Sequence, residues 1–359
     1  MALDRKQVVA ALCTIYADLL AVDAGPDDDF FELGGYSLLI VNVVAEAKQQ
    51  GITIVPDHVF EHKTPSAIAA ALSPDGDSAV REPGGEAPDF AAVWSAGLSP
   101  MRARPHSPLV TLAEGTGTPV FVFHWGAGNV RFVSEVVDRF RGERPVYGLE
   151  SVGLWNRERP PLSVVEMAIR YLEEIRRVQP HGPYLLVGPC AGGRIAYEVA
   201  RQLEAAGDPV GLLAVLNVLP PGVSDMDAGW GPSELYNFRL ASLRSQFDIP
   251  DLTTDPARVL AAMLATAKID EGVTAEDLHW RQAVWAAVNF ALDRYEPRPY
   301  GGEVVVFQLT ENAGNPDADW AAVAAGTEVH TFESADTLSL LRDPAVTDVL
   351  RKKLAEVPA

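Results

Sequence analysis

The pattern of hydrophobic and polar positions divides the chain into three parts. Residues 1–72 carry apolar side chains at helical spacing, which predicts three helices separated by polar breaks. Residues 73–108 are rich in Pro, Gly, Ser and acidic residues and have no apolar periodicity, which is typical of a linker. Within this linker, Phe90 and Trp94 lie four positions apart and predict a short helical turn that docks on a neighbouring domain.

Residues 109–359 alternate between short apolar runs and helical periods, which predicts a mostly parallel β-sheet covered by helices on both faces. The predicted strands are residues 119–123, 146–149, 184–187, 212–216, 304–309 and 327–332. Residues 222–300 are mostly helical and interrupt the alternation, and a further helix follows the last strand. The sequence therefore predicts a multidomain chain: a small all-α helical bundle, a linker and a larger α/β domain.

Composition and charge exclude several classes of function. The 359 residues carry a formal net charge of −20, with 49 acidic and 29 basic side chains, so nucleic acid and anionic membrane surfaces would repel the chain. The two cysteines, Cys13 and Cys190, are too few for a disulfide framework or a cysteine-built metal site. The first residues lack the pattern of a signal peptide, and no run of about 20 apolar residues occurs. We therefore expect a cytoplasmic protein with no metal, no nucleic-acid partner and no membrane partner.

The first candidate for chemistry is Ser37, which ends the segment Phe-Phe-Glu-Leu-Gly-Gly-Tyr-Ser before the second predicted helix. Backbone N–H groups at a helix N-terminus favour a phosphate group, and Gly34 and Gly35 allow a tight turn that exposes the hydroxyl. The segment resembles the attachment site of carrier domains in nonribosomal peptide and polyketide synthases. This resemblance implies that a phosphopantetheinyl transferase attaches 4′-phosphopantetheine covalently to Ser37. The alternative is that Ser37 only caps the helix.

The second candidate is Cys190. A predicted strand runs directly into Gly-Pro-Cys-Ala-Gly at residues 188–192, and a predicted helix follows. A strand, the pattern Gly-x-nucleophile-x-Gly and a helix together form the nucleophile elbow of α/β-hydrolases, whose glycines allow a strained turn. The alternative is a buried cysteine in a tight turn. Residues 110–355 resemble the terminal thioesterase domain of nonribosomal peptide synthetases, which implies an α/β-hydrolase fold with a helical lid at about residues 222–300.

The same resemblance implies an oxyanion hole. The segment His-Trp-Gly-Ala-Gly at residues 124–128 follows the first core strand, where the family has its oxyanion loop. The hole would consist of the backbone N–H groups of Gly126 and Ala191. Because the family usually has a structural group in this loop beneath the hole, we expect His124 to be structural rather than the catalytic base.

The resemblance also implies that the catalytic triad is altered. The family's acid follows the fourth predicted strand, at Asn217 in this chain, and its histidine corresponds to Thr337. An amide can orient an imidazole but cannot stabilise an imidazolium by charge. His330 lies seven residues earlier, inside a predicted strand, and His279 in the lid is a histidine that could still swing in. The predicted set is therefore Cys190, Asn217 and Thr337.

A set without a base favours acyl transfer over hydrolysis. A cysteine at a helix N-terminus has a useful thiolate fraction at neutral pH, and a departing thiolate needs no general acid. Water is a weak nucleophile that would need a base, whereas an amine or a carrier thiol attacks a thioester unaided. The leading hypothesis is that an acyl or peptidyl chain from upstream synthetase domains passes from the Ser37 arm to Cys190 and is released by an amine.

Two alternatives stay open at this point. The chain could resemble the cysteine-dependent aminoacyl shuttles, which share this fold and move an aminoacyl group between carriers. The third hypothesis is that the thioesterase-like domain binds or presents the loaded carrier without chemistry. Product analysis separates release by an amine from the shuttle, because the first gives a free product and the second gives an acylated second carrier. The absence of an acyl mass on Cys190 would support a domain that only binds the carrier.

Overall fold

The computed structural model describes residues 4–20, 22–33, 39–54, 58–59, 62–72, 90–98, 106–130, 133, 137, 142–223, 229–246 and 274–357. They form two compact units. The first comprises Met1–Ser95 and Met226–Ala286, and the second comprises Ala96–Asp225 and Ala287–Ala359. The chain between residues 226 and 286 is therefore grouped with the N-terminal helices, while the sheet lies in the second unit.

The described helices, in chain order, are α1 (Arg5–Leu20), α2 (Leu39–Gln49), α3 (Pro65–Ala71), α4 (Phe90–Ala96), α5 (Val164–Val178), α6 (Ala191–Ala205), α7 (Pro232–Gln246), α8 (Ala275–Asp293), α9 (Thr337–Arg342) and α10 (Pro344–Glu356). The strands are β1 (Leu109–Ala113), β2 (Val120–Phe123), β3 (Val146–Leu149), β4 (Tyr184–Pro189), β5 (Val210–Leu216), β6 (Tyr300–Leu309) and β7 (Ala324–Phe332). Across these described ranges, no helix has the length and apolar character needed to cross a bilayer.

The three helices predicted for residues 1–72 are present as α1, α2 and α3. The apolar stripe of α1 faces the core, and its buried residues are Val8, Leu12, Ile15 and Tyr16. Phe30 is fully buried and packs with its ring centroid 4.9 Å from that of Tyr16. Thr64 caps α3, because its hydroxyl accepts a hydrogen bond from the Ala67 N–H at 3.2 Å.

The aromatic turn of the linker is present as α4. Phe90 and Trp94 stack on each other with ring centroids 5.2 Å apart. Phe90 also contacts Tyr236 of α7 at 6.0 Å, and Trp94 stacks on Trp280 of α8 at 5.8 Å. The predicted helical turn is therefore present, and its rings pack on α7 and α8, which belong to the same compact unit as Phe90 and Trp94.

A seven-stranded sheet forms the centre of the second unit, in the order β1-β3-β2-β4-β5-β6-β7. All six predicted strands are present. In the sheet order, each pair of neighbouring strands from β3 across to β7 is parallel. The sequence analysis did not predict β1, which pairs antiparallel with β3 at the edge of the sheet. Most of its residues are only half-buried or exposed, so its apolar signal is weak.

Parallel strands place their carboxyl ends at one edge of the sheet, and this edge positions the candidate site. The strand β4 lies between β2 and β5, and its residues are buried from Tyr184 to Pro189. The helix α6 follows directly and is buried along most of its length. The loops that leave β2, β4 and β5 therefore meet around the end of β4.

Candidate functional site

Cys190 lies in the turn between β4 and α6, at the place that the elbow motif predicts. Its backbone has φ 49° and ψ −134°, a region that residues other than glycine rarely adopt. The Cys190 N–H donates to the Leu216 carbonyl at 2.8 Å, and the Gly193 N–H donates to the Cys190 carbonyl at 2.8 Å. Such backbone strain costs about 1–3 kcal/mol and clusters at functional sites. The elbow therefore presents a partly exposed cysteine at the N-terminus of α6.

Three glycines allow this turn because each has another atom where a side chain would be. A Cβ at Gly188 would lie 2.5 Å from the Gly193 Cα, and a Cβ at Gly193 would lie 2.5 Å from the Val218 Cγ1. A Cβ at Gly192 would lie 2.5 Å from the carbonyl oxygen of His124. The elbow thus packs directly against the loop that follows β2.

That loop contains a turn whose second residue is Gly126. The Gly128 N–H donates to the Trp125 carbonyl at 2.9 Å and closes a turn, with Gly128 at φ 86°. Gly126 is the second residue of the turn, so the closing hydrogen bond does not use its N–H. The Ala191 N–H is one of the first amides of α6, which have no acceptor within the helix. Both amides suit an oxyanion hole.

His124 has both ring nitrogens engaged in a fully buried position. Its Nδ1 donates to the Trp125 carbonyl at 2.7 Å, so its Nε2 accepts from the Tyr171 hydroxyl at 2.8 Å. Burial lowers the pKa of His124 from 6.5 to about 4, and the hydrogen bond to Trp125 opposes this only in part. A pKa this low favours a neutral ring at neutral pH, which fits the structural role that the sequence analysis predicts for His124.

Asn217 and Thr337 are brought together on the other side of β4. Asn217 follows directly after β5 with φ 45°, a left-handed conformation that asparagine tolerates, and its N–H donates to the Phe307 carbonyl at 2.7 Å. Its side-chain Nδ2 donates to the Thr337 hydroxyl at 2.9 Å. A third residue, Asn312, donates from its Nδ2 to the Asn217 Oδ1 at 3.2 Å. Asn217 and Thr337, the positions that the family resemblance assigns to the acid and the histidine, thus form a hydrogen-bonded pair without a charge.

The sequence analysis missed Asn312. It lies just after the carboxyl end of β6, and no motif surrounds it. Its only signal is its place after a parallel strand, where polar side chains collect at the functional edge of a sheet.

The hydroxyl of Thr337 is not needed to cap its own helix. Asp336 caps α9, because its carboxylate accepts a hydrogen bond from the Ser339 N–H at 2.7 Å. The Ser339 hydroxyl in turn accepts a hydrogen bond from the Asp336 N–H. The hydrogen bonds from Ser339 also lower the pKa of Asp336. Asp336 is therefore committed to the cap, and the Thr337 side chain is available to Asn217.

No histidine lies in the loops that follow β5 and β7 in the sequence, where Asn217 and Thr337 stand. His330 lies within β7 and pairs with Glu328 at 2.8 Å. His279 lies on α8 in the first unit, where its Nδ1 shares a hydrogen bond with the Tyr236 hydroxyl at 2.8 Å. The position of His330 inside β7 and its contact with Glu328 fit the structural role that the sequence analysis predicts.

Ser37 lies outside the described residues. The surrounding described residues are the buried Phe30 and the start of α2 at Leu39, two positions after Ser37. A helix that begins here supplies unpaired N–H groups for a phosphodiester, so the residues present fit a phosphopantetheine attachment site. Most of the linker, residues 73–89 and 99–105, also lies outside the described ranges.

Two family models match the chain. A thioesterase domain matches residues 118–350, and a phosphopantetheine attachment site matches residues 10–72. Malpibaldin synthetase of Mortierella alpina is 34% identical over 217 residues, which cover 60% of this chain and 4% of that protein. The dimodular nonribosomal peptide synthase of Bacillus subtilis (strain 168) is 27% identical over 308 residues, 83% of this chain and 12% of that protein. This chain therefore spans only a small part of the length of these relatives.

Solved structures share the fold. The crystal structure of holo-AB3403, a four-domain nonribosomal peptide synthetase bound to AMP and glycine, aligns with all of this chain and 26% of its own, with a TM-score of 0.60 and 22% identity. The wild-type Vlm2 thioesterase domain aligns with 70% of this chain and 97% of its own, with a TM-score of 0.51 and 18% identity. At these identities the structures support the fold alone.

Proposed function

Because this chain belongs to the thioesterase family and has a phosphopantetheine carrier domain ahead of its thioesterase domain, we propose that Cys190 accepts the carrier's acyl chain and passes it to an amine. The proposed boundaries are residues 1–72 for the carrier, 73–108 for the linker and 109–359 for the thioesterase domain, with the lid at about 222–300. The pathway is nonribosomal peptide synthesis. The enzyme is a thioesterase-family acyltransferase.

The 4′-phosphopantetheine arm, which carrier domains of this family bear covalently, supplies the acyl chain as a thioester. We assign its attachment to Ser37, which follows the family motif and precedes α2. The partners that follow are a phosphopantetheinyl transferase, which adds the arm, and upstream synthetase domains, which supply the acyl or peptidyl chain. The proposed location is the cytoplasm, where reducing conditions keep Cys190 as a thiol.

The observation that carries the proposal is the neutral pair of Asn217 and Thr337, 2.9 Å apart, beside a cysteine elbow. In the first step the Cys190 thiolate attacks the carbonyl carbon of the incoming thioester. The Gly126 and Ala191 amides stabilise the tetrahedral oxyanion, the old C–S bond breaks, and the departing thiolate takes a proton from water. No side chain has to remove or donate a proton in this step.

The second step discriminates between acceptors. An uncharged amine attacks the Cys190 thioester with its own electron pair, loses one proton to solvent, and the Cys190 thiolate departs. Water would have to lose a proton as it attacks, and neither Asn217 nor Thr337 accepts one at neutral pH. We therefore assign release to aminolysis or cyclisation rather than to simple hydrolysis.

The same observation supports one second candidate, a cysteine-dependent shuttle. The thiolate of another carrier also attacks a thioester without a base. A shuttle would leave the acyl group on a second carrier, and an amine-releasing enzyme would give a free amide. Incubation with a second holo-carrier and with an amine, in separate reactions, distinguishes the two.

The test of acyl transfer starts from the full chain loaded at the carrier. A promiscuous phosphopantetheinyl transferase and an acyl-coenzyme A install the acylated arm, and peptide mass spectrometry then locates the acyl group. We expect the acyl mass on the Cys190 peptide of the wild type and of Cys13→Ala, the matched control at the other cysteine. Cys190→Ala should keep the acyl group on the arm.

The loading itself has an independent control. Ser37→Ala should take up no arm, and modification of that variant would contradict the assignment of Ser37. An acyl group that stays on the wild-type arm would contradict acylation of Cys190 and would support a domain that only binds the loaded carrier. Acid that accumulates as fast as amide would contradict the assigned acceptor.

A further inference from the structure

The hydrogen bonds of Asn312, Asn217 and Thr337 run in one direction. The Asn312 Nδ2 donates to the Asn217 Oδ1 at 3.2 Å. An amide that accepts on its oxygen presents its NH₂ group on the other side, and the Asn217 Nδ2 donates to the Thr337 Oγ1 at 2.9 Å. Since the Thr337 hydroxyl accepts this bond, its own hydrogen is left to donate onward.

This direction is opposite to that of a Ser-His-Asp triad. In the triad the hydrogens point from the nucleophile to the imidazole and from the imidazole to the carboxylate, so the chain withdraws a proton from the nucleophile. Here the hydrogens point from Asn312 through Asn217 towards Thr337. A chain of this polarity cannot take up a proton from a nucleophile, but its last hydroxyl can stabilise a negative charge.

We propose that these three residues form a hydrogen-bond-donating relay that stabilises the thiolate of Cys190, and that Asn312 is the positioning residue that fixes its direction. The proposal rests on Cys190 being the acyl acceptor. The Cys190 N–H donates to the carbonyl of Leu216, the residue before Asn217, so the middle residue of the relay follows directly on a backbone contact of the elbow. The Thr337 hydroxyl donates a hydrogen bond to the Cys190 sulfur as it attacks and again as it departs, and keeps its own proton.

A purely conformational role for Asn217 is the competing explanation, because asparagine tolerates its φ of 45°. Aspartate tolerates the same conformation, so Asn217→Asp keeps the backbone and changes the hydrogen bond and the charge; Asn315→Asp is the control for the charge. A carboxylate accepts from both sides, which turns the Thr337 hydrogen away from the elbow. Asn312→Asp acts one step further along the hydrogen-bonded chain. Its carboxylate should flip the Asn217 amide, so that the Asn217 oxygen then accepts a hydrogen bond from Thr337.

The experiment measures the single-turnover rate of Cys190 acylation by a small-molecule acyl thioester, with the full chain. Asn312→Asp, Asn217→Asp and Thr337→Val should each slow acylation about 10- to 100-fold, the effect of losing a hydrogen bond to a charged group. Thr337→Ser should recover most of the rate lost in Thr337→Val. Asn315→Asp, which adds the same charge in the same loop after β6, should stay within about twofold of the wild type.

A double-mutant cycle decides whether Asn312 acts through Thr337. If it does, adding Asn312→Asp to Thr337→Val causes no further loss of rate. Losses that multiply, or an Asn312→Asp variant with the wild-type rate, would overturn the relay while leaving Cys190 as acceptor. A wild type that loads its carrier but forms no adduct on Cys190 would instead overturn the proposed function, and the relay with it.

Discussion

The two sides of β4 carry different parts of the site, and they depart from the thioesterase pattern to different degrees. On the β2 side, the elbow glycines, the turn of residues 124–128 and the buried His124 form the backbone arrangement that the family motif predicts. On the β5 side, Asn217 and Thr337 form a hydrogen-bonded pair at the positions that we predict for the acid and the histidine. The backbone donors depend on close glycine contacts throughout the elbow, whereas a side-chain pair can change without altering the fold. Among the described residues at this edge of the sheet, the β2 side offers backbone donors that suit an oxyanion, and neither Asn217 nor Thr337 removes a proton from water at neutral pH.

The sharpest test of this contrast is Cys190→Ser. A serine hydroxyl needs a general base, and we expect none on the β5 side. The substitution should therefore lower the rate of acyl transfer about 10²–10⁴-fold more than the same substitution does in an enzyme that has a base. The measurement is acyl transfer in single turnover, with Cys13→Ala as the matched control. Near-wild-type turnover by Cys190→Ser would show that a base serves the site and would contradict the difference between the two sides of β4.

The β2 side is tested by Gly192→Ala. The added Cβ would lie 2.5 Å from the His124 carbonyl, so the oxyanion loop and the elbow must separate. We expect acylation to fall about 10²-fold, the scale of a 1 Å misplacement of catalytic groups. Gly326→Ala on β7 is the matched control, since its nearest atom would lie at an ordinary 3.6 Å. Equal rates for the two variants would mean that the loop tolerates displacement.

The pH dependence of stability separates a structural His124 from a catalytic one. Its folded-state pKa of about 4 lies below the ordinary 6.5, so the unfolded chain binds more protons between these values. The stabilisation is complete above about pH 6.5 and is lost as the pH falls towards 4, by about 3 kcal/mol in total. Urea unfolding at pH 7.5 and 4.5 should show a smaller pH dependence for His124→Gln than for the wild type.

His181→Gln, on an exposed loop, is the control for this measurement and should keep the wild-type pH dependence. An unchanged dependence in His124→Gln would contradict the neutral buried ring. Loss of acylation by His124→Gln at full stability would show that the contacts of His124 with Trp125 and Tyr171 matter for catalysis as well as for stability.

The smallest effect is expected from rebuilding the β5 side. Thr337→His and Asn217→Asp, added to Cys190→Ser, restore the residue types of a triad at positions that are already in contact. Hydrolysis of a small-molecule thioester should rise about tenfold above that of Cys190→Ser alone, a small part of the usual general-base contribution. No gain would show that the positions in contact do not reproduce the geometry of a triad.

The sequence predicted what depends on local pattern. Gly188, Cys190 and Gly192 predict the elbow because a strand, a strained turn and a helix follow one another within a few residues. The stripe of α1 and the aromatic turn of α4 are equally local. The edge strand β1 was missed because an antiparallel edge strand is only half-buried, so neither an apolar run nor its alternation is strong.

The hydrogen bonds of Asn312, Asn217 and Thr337 could not be predicted from local sequence patterns. The family resemblance predicts the positions of Asn217 and Thr337, but 120 residues separate them, and no periodicity indicates that they bond. Asn312 belongs to no motif and joins them only through the folding of β5 beside β6. The direction of the hydrogen bonds depends on three side chains together, so no single residue type could have predicted it.

The docked turn α4 also sets the length of the carrier's tether. A free linker of residues 73–108 would have 36 residues and a contour length of about 120 Å. With Phe90 and Trp94 held against Tyr236 and Trp280, the tether from the carrier to this anchor is residues 73–89, with a contour length of about 60 Å. Effective concentration falls roughly as the −3/2 power of tether length, so halving the tether raises it about threefold. For the transfer to Cys190 that we propose, the aromatic contact would favour the chain's own carrier over a competing one in solution.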